Sequence, residues 1–178
     1  MLGAMPRRHG NPALPFLLRT MPSPVGTLQL VASARGLAAV LWPDEDGRRV
    51  RLGPFAPDHG NAVLDATQRQ LEGYFAGSLR RFSLPLDFHG TVFQQQVWHA
   101  LVAIPWGETR SYGQLARELG CPTAARAVGA ANGRNPISII APCHRVVGAD
   151  GALTGFAGGL AAKRYLLQWE QGNRAGTG

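Results

Sequence analysis

Cys143 and His144 stand side by side in Pro142-Cys143-His144-Arg145-Val146, directly after the apolar run Ile137-Ser138-Ile139-Ile140-Ala141. Cys121 is the only other cysteine. Sulfur attacks as the thiolate, and a free thiol, with a pKa near about 8.5, is only a few per cent ionised at neutral pH unless a nearby base or cation lowers that pKa. A thiol beside an imidazole therefore points to nucleophilic sulfur chemistry. Read as a strand, the segment sends adjacent side chains to opposite faces, so a bridging water is the expected link between the two. The duller alternative is a buried cysteine that merely fills space.

A second constellation follows from two short helices separated by Gly120-Cys121-Pro122-Thr123, a helix-turn-helix candidate. Ser111-Tyr112-Gly113-Gln114 reads as a capping box opening the first helix, and Gly120 as its stop. The second helix, Ala124 to Ala131, surrounds a lone Arg126 with Ala125, Ala127, Val128, Gly129, Ala130 and Ala131. Such a helix lacks the polar side chains that read a major groove. It suits close approach to a minor groove with one inserted arginine, and its plainer reading is helix packing through alanines.

Other elements must position these groups. Phe93, Val97, Trp98, Leu101 and Val102 form one apolar helical face ending at Pro105-Trp106-Gly107, and a last helix spans about Leu160 to Glu170. Upstream, Leu28, Leu30 and Ala32 alternate with Gln29, Val31 and Ser33, an imperfect period of two because Val31 is apolar. Arg35-Gly36 then turns the chain into Leu37 to Trp42, giving an antiparallel meander. A further strand near Val50, a helix over Ala62 to Phe75 stopped by Gly77, and a strand over Arg80 to Leu86 complete an α+β domain. The division falls at His89-Gly90, giving domains of 14–88 and 89–170 with flexible tails at 1–13 and 171–178.

The net charge is +7, and 17 of the 18 basic residues are arginine, Lys163 being the exception. Arginine forks suit phosphates and stack on bases, although a genome rich in G and C would enrich arginine regardless. No apolar run approaches a membrane span. The apolar patch from Leu14 to Leu18 is too short and proline-broken for a secretory segment. A reducing, cytoplasmic setting follows, with unpaired cysteines. No Cys/His group has zinc-ligand spacing.

From Phe93 to Glu170 the chain resembles the catalytic domain of the O6-alkylguanine-DNA alkyltransferases. The matching pieces are Phe93-x3-Val97-Trp98, Ile104-Pro105-x-Gly107-x-Thr109-x-Ser111-Tyr112, Arg126-Ala127-Val128-Gly129, Asn135-Pro136, Pro142 to Val146, and Gly158-Gly159 with Lys163, Leu166-Leu167 and Glu170. One such motif alone is weak; six in order are specific. The part before His89 resembles the family's N-terminal domain only in outline, a ribonuclease-H-like antiparallel sheet with a helix. The C-terminal half is then a mostly helical domain with a helix-turn-helix and a cysteine loop.

The resemblance implies direct-reversal repair: an alkyl group on O6 of guanine, and secondarily on O4 of thymine, passes to Cys143 once, with no cofactor. It implies His144 as base through a water, Glu170 orienting His144, Tyr112 protonating or polarising the departing guanine, and Asn135 tying the recognition helix to the active-site loop. It places Arg126 in the base stack, with Ala125, Ala127, Gly129, Thr123 and Tyr112 on DNA. Val146, Ala157, Phe156, Asn132 and Arg145 would line the pocket. The implied partner is double-stranded DNA containing alkylated guanine, bound by a monomer, with either independent or cooperative binding along the duplex. Zinc carried by some relatives in the first domain is not transferred, because no cysteine lies there. Phe156 departs from the family's usual tyrosine. A non-catalytic lesion binder would carry tryptophan where Cys143 stands, a cysteine hydrolase lacks an evident oxyanion hole here, and a regulator lacks base-reading side chains.

Overall fold

The computed structural model describes residues 14–45 and 47–174. The expected tail at 1–13 lies outside them. Strands β1 (Phe16–Met21), β2 (Leu28–Ala32), β3 (Leu37–Leu41) and β4 (Phe55–Pro57) form one sheet in the order β3-β2-β1-β4. The meander is antiparallel as expected, with Leu18 opposite Val31 and Leu30 opposite Val40. β4, however, runs parallel to β1, so the sheet is mixed, and its fourth strand lies beyond the position expected near Val50. The broken alternation in β2 has a packing cause. Leu28, Leu30 and Ala32 face the main core, while Val31 joins Ala39 and Leu41 in a second cluster covered by Leu18, Val50 and Leu52. Val50 thus contributes as a lid on the sheet's other face.

Helix α1 (Ala62–Phe75) starts where Asn61 accepts from the N–H groups of Val63 and Leu64, and it buries Leu64, Thr67, Leu71 and Tyr74. The segment expected as a strand over Arg80 to Leu86 makes only a single bridge, Leu86 to Leu37. Leu37 N–H donates to Pro85 O at 2.8 Å, and Asp87 N–H to Leu37 O at 2.8 Å. Further along the same strand edge, Val40 N–H donates to Pro136 O at 2.9 Å. The free edge of β3 is therefore covered in part by the segment leading to Cys143, which satisfies backbone groups an open edge would leave unpaired.

Helix α2 (Val92–Val102) opens with a capping box of Thr91 and Gln94. β5 (Arg110–Ser111) leads into α3 (Tyr112–Glu118), whose Ser111–Gln114 capping box forms as the sequence suggests. At its end, Gly120 takes φ 75°. Gly120 N–H bonds Arg117 O and Cys121 N–H bonds Ala116 O, the paired closure that needs a left-handed residue. α4 (Ala125–Gly133) packs on both α2 and α3. A 3-10 turn over Cys143–Arg145 follows, then β6 (Val146–Val147) parallel to β5, and α5 (Leu160–Gly172). α5 reaches past the expected end at Glu170 into residues assigned to a tail. One buried core runs through both halves, from Leu30 and Tyr74 to Trp98 and Leu166.

Trp98 clamps α2 to α4, its Nε1 donating to Ala131 O at 2.8 Å. Gly90 lies against the same indole, and a methyl there would come within 2.4 Å of it. Gly90→Ala is expected to cost roughly 1–3 kcal/mol through overpacking, read as a lower thermal midpoint; an unchanged midpoint would show the ring free to yield.

Candidate active site and nucleic-acid interface

The apolar run before Cys143 is not the expected strand. Ile137 makes one bridge to Val40, and Ile139 turns the chain at φ 71°. A β-branched residue held at positive φ is costly and survives only where its surroundings impose it. Here they do: Ile137, Ile139 and Ala141 are fully buried, and Ala141 N–H bonds Ile137 O at 3.0 Å. The turn delivers Cys143, His144 and Arg145 on the 3-10 turn, so the alternation of a strand does not govern their directions.

Asn135 fixes this turn from the end of α4. Its Nδ2 donates to Ala141 O at 2.8 Å, and its Oδ1 accepts from Ile137 N–H at 3.1 Å. Its own carbonyl accepts from Arg49 Nη1 at 2.6 Å. Arg49 is in turn paired with Glu45. Nothing in the spacing of Arg49 marked it for this site, since the contact spans 86 residues.

His144 is fully buried, and its Nε2 lies 2.7 Å from Glu170 Oε1. Glu170, also fully buried, accepts from Tyr74 Oη at 2.8 Å, Arg145 Nε at 2.9 Å, Arg145 Nη2 at 2.8 Å and, at 3.3 Å, Gly107 N–H. Burial pushes the Glu170 carboxyl up, but the hydrogen bonds and charges of His144 and Arg145 outweigh it and hold the group at about 2. An ionised carboxylate only accepts, so Nε2 carries the proton and Nδ1 keeps its lone pair. Nδ1 meets no hydrogen-bond partner among the described residues. Burial lowers the imidazole's pKa against the pull of Glu170, so His144 rests neutral.

Cys143 is 5% exposed. Burial raises its thiol pKa, while a hydrogen bond from Asn135 and the charges of Arg49 and Lys163 act the other way. The site at rest is a thiol and a neutral base. Lys163 is fully buried, donating to Val146 O at 2.7 Å and Thr154 O at 3.3 Å. Thr154 Oγ1 is 2.5 Å from the Tyr112 hydroxyl. Lys163 and Thr154 thus join the cysteine turn, the 154–159 loop and the start of α3.

The structure brings Cys143, His144, Glu170 and Asn135 together, with Val146 beside them and Tyr112 reached through Thr154. Phe156 is half-buried against Trp42, and Ala157 is exposed. Asn132 is buried, its Oδ1 without a partner among the described residues. Arg145 departs from its expected place at the substrate pocket. Its side chain turns to Glu170 and to Ile104 O, bracing the carboxylate from behind. Sequence reasoning also missed Tyr74, whose hydroxyl is the polar tip of an otherwise apolar helix face.

On the outer side, Thr123, Arg126 and Ala127 are exposed, and Ala125 and Gly129 are half-buried. Gly129 lies on the Tyr112 ring, where a methyl would make ordinary contact at 3.5 Å. The first turn of α4 has no side-chain cap, so its backbone N–H groups stay available to an anion. Among the described residues no three His, Cys, Asp or Glu side chains cluster to hold a metal, and no helix is long and apolar enough to cross a membrane.

Residues 92–172 match the family model described as 6-O-methylguanine DNA methyltransferase, DNA binding domain, and residues 17–88 match its ribonuclease-like domain. The chain is 50% identical over 153 residues to the methylated-DNA--protein-cysteine methyltransferase of Mycobacterium leprae, covering 86% of this chain and 91% of that one. It is 47% identical over 148 residues to that of Methanosarcina acetivorans, covering 83% and 94%. Its fold matches Mycobacterium tuberculosis OGT in complex with DNA at a TM-score of 0.80 and 47% identity, covering 88% and 94%.

Replacing Glu170 with Gln would leave the Arg145 guanidinium buried without a counter-charge. Glu170→Gln is expected to cost about 3–5 kcal/mol of unfolding free energy, and Tyr74→Phe about 1.5–3 kcal/mol. Denaturant titration checks both; a Glu170→Gln loss no larger than that of Tyr74→Phe would contradict the ion-pair account.

Proposed function

The chain belongs to the 6-O-methylguanine DNA methyltransferase family, and on that premise we propose that it repairs duplex DNA by moving an alkyl group from O6 of guanine to Cys143, once per molecule. The observation that carries this reading is the buried His144, held by Glu170 with its Nδ1 lone pair free, next to a thiol that burial keeps protonated. His144 takes the thiol proton through a water as sulfur attacks the alkyl carbon in line. The S–C bond forms and the C–O6 bond breaks. The departing guanine takes a proton from the Tyr112 hydroxyl, which regains one through solvent as the His144 imidazolium gives up the thiol's, so one proton passes, in net, from sulfur to guanine. The thioether product has no leaving group, and the protein is spent.

A buried cysteine cannot reach a base inside a duplex, so the base must leave the stack. Flipping costs a few kcal/mol, less for a weakly paired, alkylated base. α4 supports this step with exposed Arg126 among small residues and with an uncapped first turn. Arg126 fills the space the guanine leaves, while Ala127 lets the backbone approach the minor groove. Thr123, Ala125 and Gly129 line the same approach. Val146 O and the Ala157 N–H recognise the flipped base, with Phe156 and Asn132 beside them.

Incubation with a duplex oligonucleotide bearing O6-methylguanine is expected to add one methyl group, on the Cys143 peptide, with a stoichiometry that stops at one. Repeated turnover, or demethylation by Cys143→Ala, would sink the proposal. In the same assay Arg126→Ala should slow transfer from duplex far more than transfer from the free base.

The charge states set a pH profile. Because burial depresses the His144 pKa below 6.5, the imidazole is protonated only at lower pH than an ordinary histidine. The single-turnover rate should hold steady from about pH 8 to about 6.5 and fall only in more acid solution. A midpoint at or above about pH 7 would contradict His144 as the buried base.

A further inference from the structure

Trp42 is 2% exposed and follows β3 directly, in the N-terminal half of the chain. Its indole touches two separate segments around Cys143. Nε1 donates to Ser138 Oγ at 3.1 Å, in the turn that carries the cysteine. The ring meets Phe156 edge-to-face, with centroids 5.3 Å apart. Gly158 lies so close that a Cβ there would come within 2.6 Å of the ring. The segment after Trp42 is anchored as well. The Trp42 N–H donates to Glu45 Oε2 at 3.2 Å, and Glu45 is paired with Arg49, which holds the Asn135 carbonyl.

On the alkyl-transfer reading, the group that Cys143 accepts enters between the 137–146 turn and the 154–159 loop, which Lys163 joins through Val146 O and Thr154 O. Trp42 stands between the same two segments as a flat, rigid wedge. The Gly158 backbone cannot move inward through the ring. Outward movement gives up the Phe156 edge contact and the close Gly158 packing together. Cores packed at this density do not yield continuously. A bulkier group asks more room between the two segments than a methyl group does.

We infer that Trp42 is a specificity-determining residue for alkyl transfer: its indole sets the spacing of the cysteine turn and the 154–159 loop, and thereby the size of group that reaches Cys143. The inference rests on the alkyl-transfer reading above. It assigns to the N-terminal half a part in substrate choice, through a side chain that takes no part in the bond-making step.

The test uses two duplexes identical except for O6-methylguanine or O6-benzylguanine, so that DNA binding cancels in the ratio of rate constants. Trp42→Leu, and Trp42→Ala if it folds by circular dichroism, should raise the benzyl-to-methyl ratio by about tenfold, the scale on which apolar pockets discriminate size. Trp42→Phe keeps a ring against Gly158 and should stay near the wild-type ratio. A Trp42→Leu ratio that is unchanged or lower, even with both rates reduced together, overturns the inference and leaves Trp42 a purely structural residue. Wild-type protein that transfers neither group to Cys143 would instead sink the alkyl-transfer reading, and that outcome appears before any variant is made.

Discussion

The Glu170 carboxylate is the point on which the rest of the site depends. An anion with no solvent exposure is costly unless charge and hydrogen bonds compensate it, and here the compensating donors come from three stretches far apart in sequence. Tyr74 reaches it from α1, Gly107 from the loop before α3, and His144 and Arg145 from the 3-10 turn. Trp106 adds a bond from its Nε1 to the Glu170 backbone carbonyl at 2.9 Å. None of these stretches can shift alone without stranding a buried charge. The same carboxylate sets the histidine tautomer, so packing and proton chemistry are fixed by one group.

The resting charges suit the single transfer proposed for Cys143. A thiolate exposed to solvent would meet oxidants and small electrophiles long before it met a damaged base. Burial holds Cys143 as a thiol and His144 as a neutral base, two states that reinforce each other because neither places a charge in the apolar surroundings. On the proposed reaction, ionisation of the sulfur is coupled to the approach of the alkyl carbon. Arg49, Lys163 and the Asn135 amide then stabilise the transient negative charge that the resting site avoids.

Local signals were legible in the sequence wherever one residue's chemistry dictated the backbone. Both Ser111–Gln114 and the stop at Gly120 behave as their residue types require, and the apolar faces of α1 and α2 bury the side chains their spacing selects. Adjacent Cys143 and His144 were visible, and the order of motifs carried the family. What failed depended on distant partners. Ile137 to Ala141 has the composition of a strand, yet Asn135 and the edge of β3 bend it into a turn with Ile139 at positive φ. The extended stretch before Leu86 finds only one strand position to bridge. The resemblance put Arg145 at the pocket, whereas its guanidinium serves a carboxylate 25 residues away.

The geometry linking α4 to Cys143 leaves little to unanchored loops. The nine residues of α4 span about 13 Å at the usual helical rise. Arg126 stands at the exposed end of that span, and Asn135 just beyond the other. Asn135 then locks the next turn with both ends of its side-chain amide, and Arg49 holds its carbonyl from the sheet side. The path from Arg126 to Cys143 is therefore a helix, a doubly bonded asparagine and a buried turn pinned to β3 through Val40. On the proposed reaction, a base flipped at Arg126 would meet a sulfur whose position the sheet has already fixed. The N-terminal half thus supplies the frame against which both α4 and the cysteine turn are set.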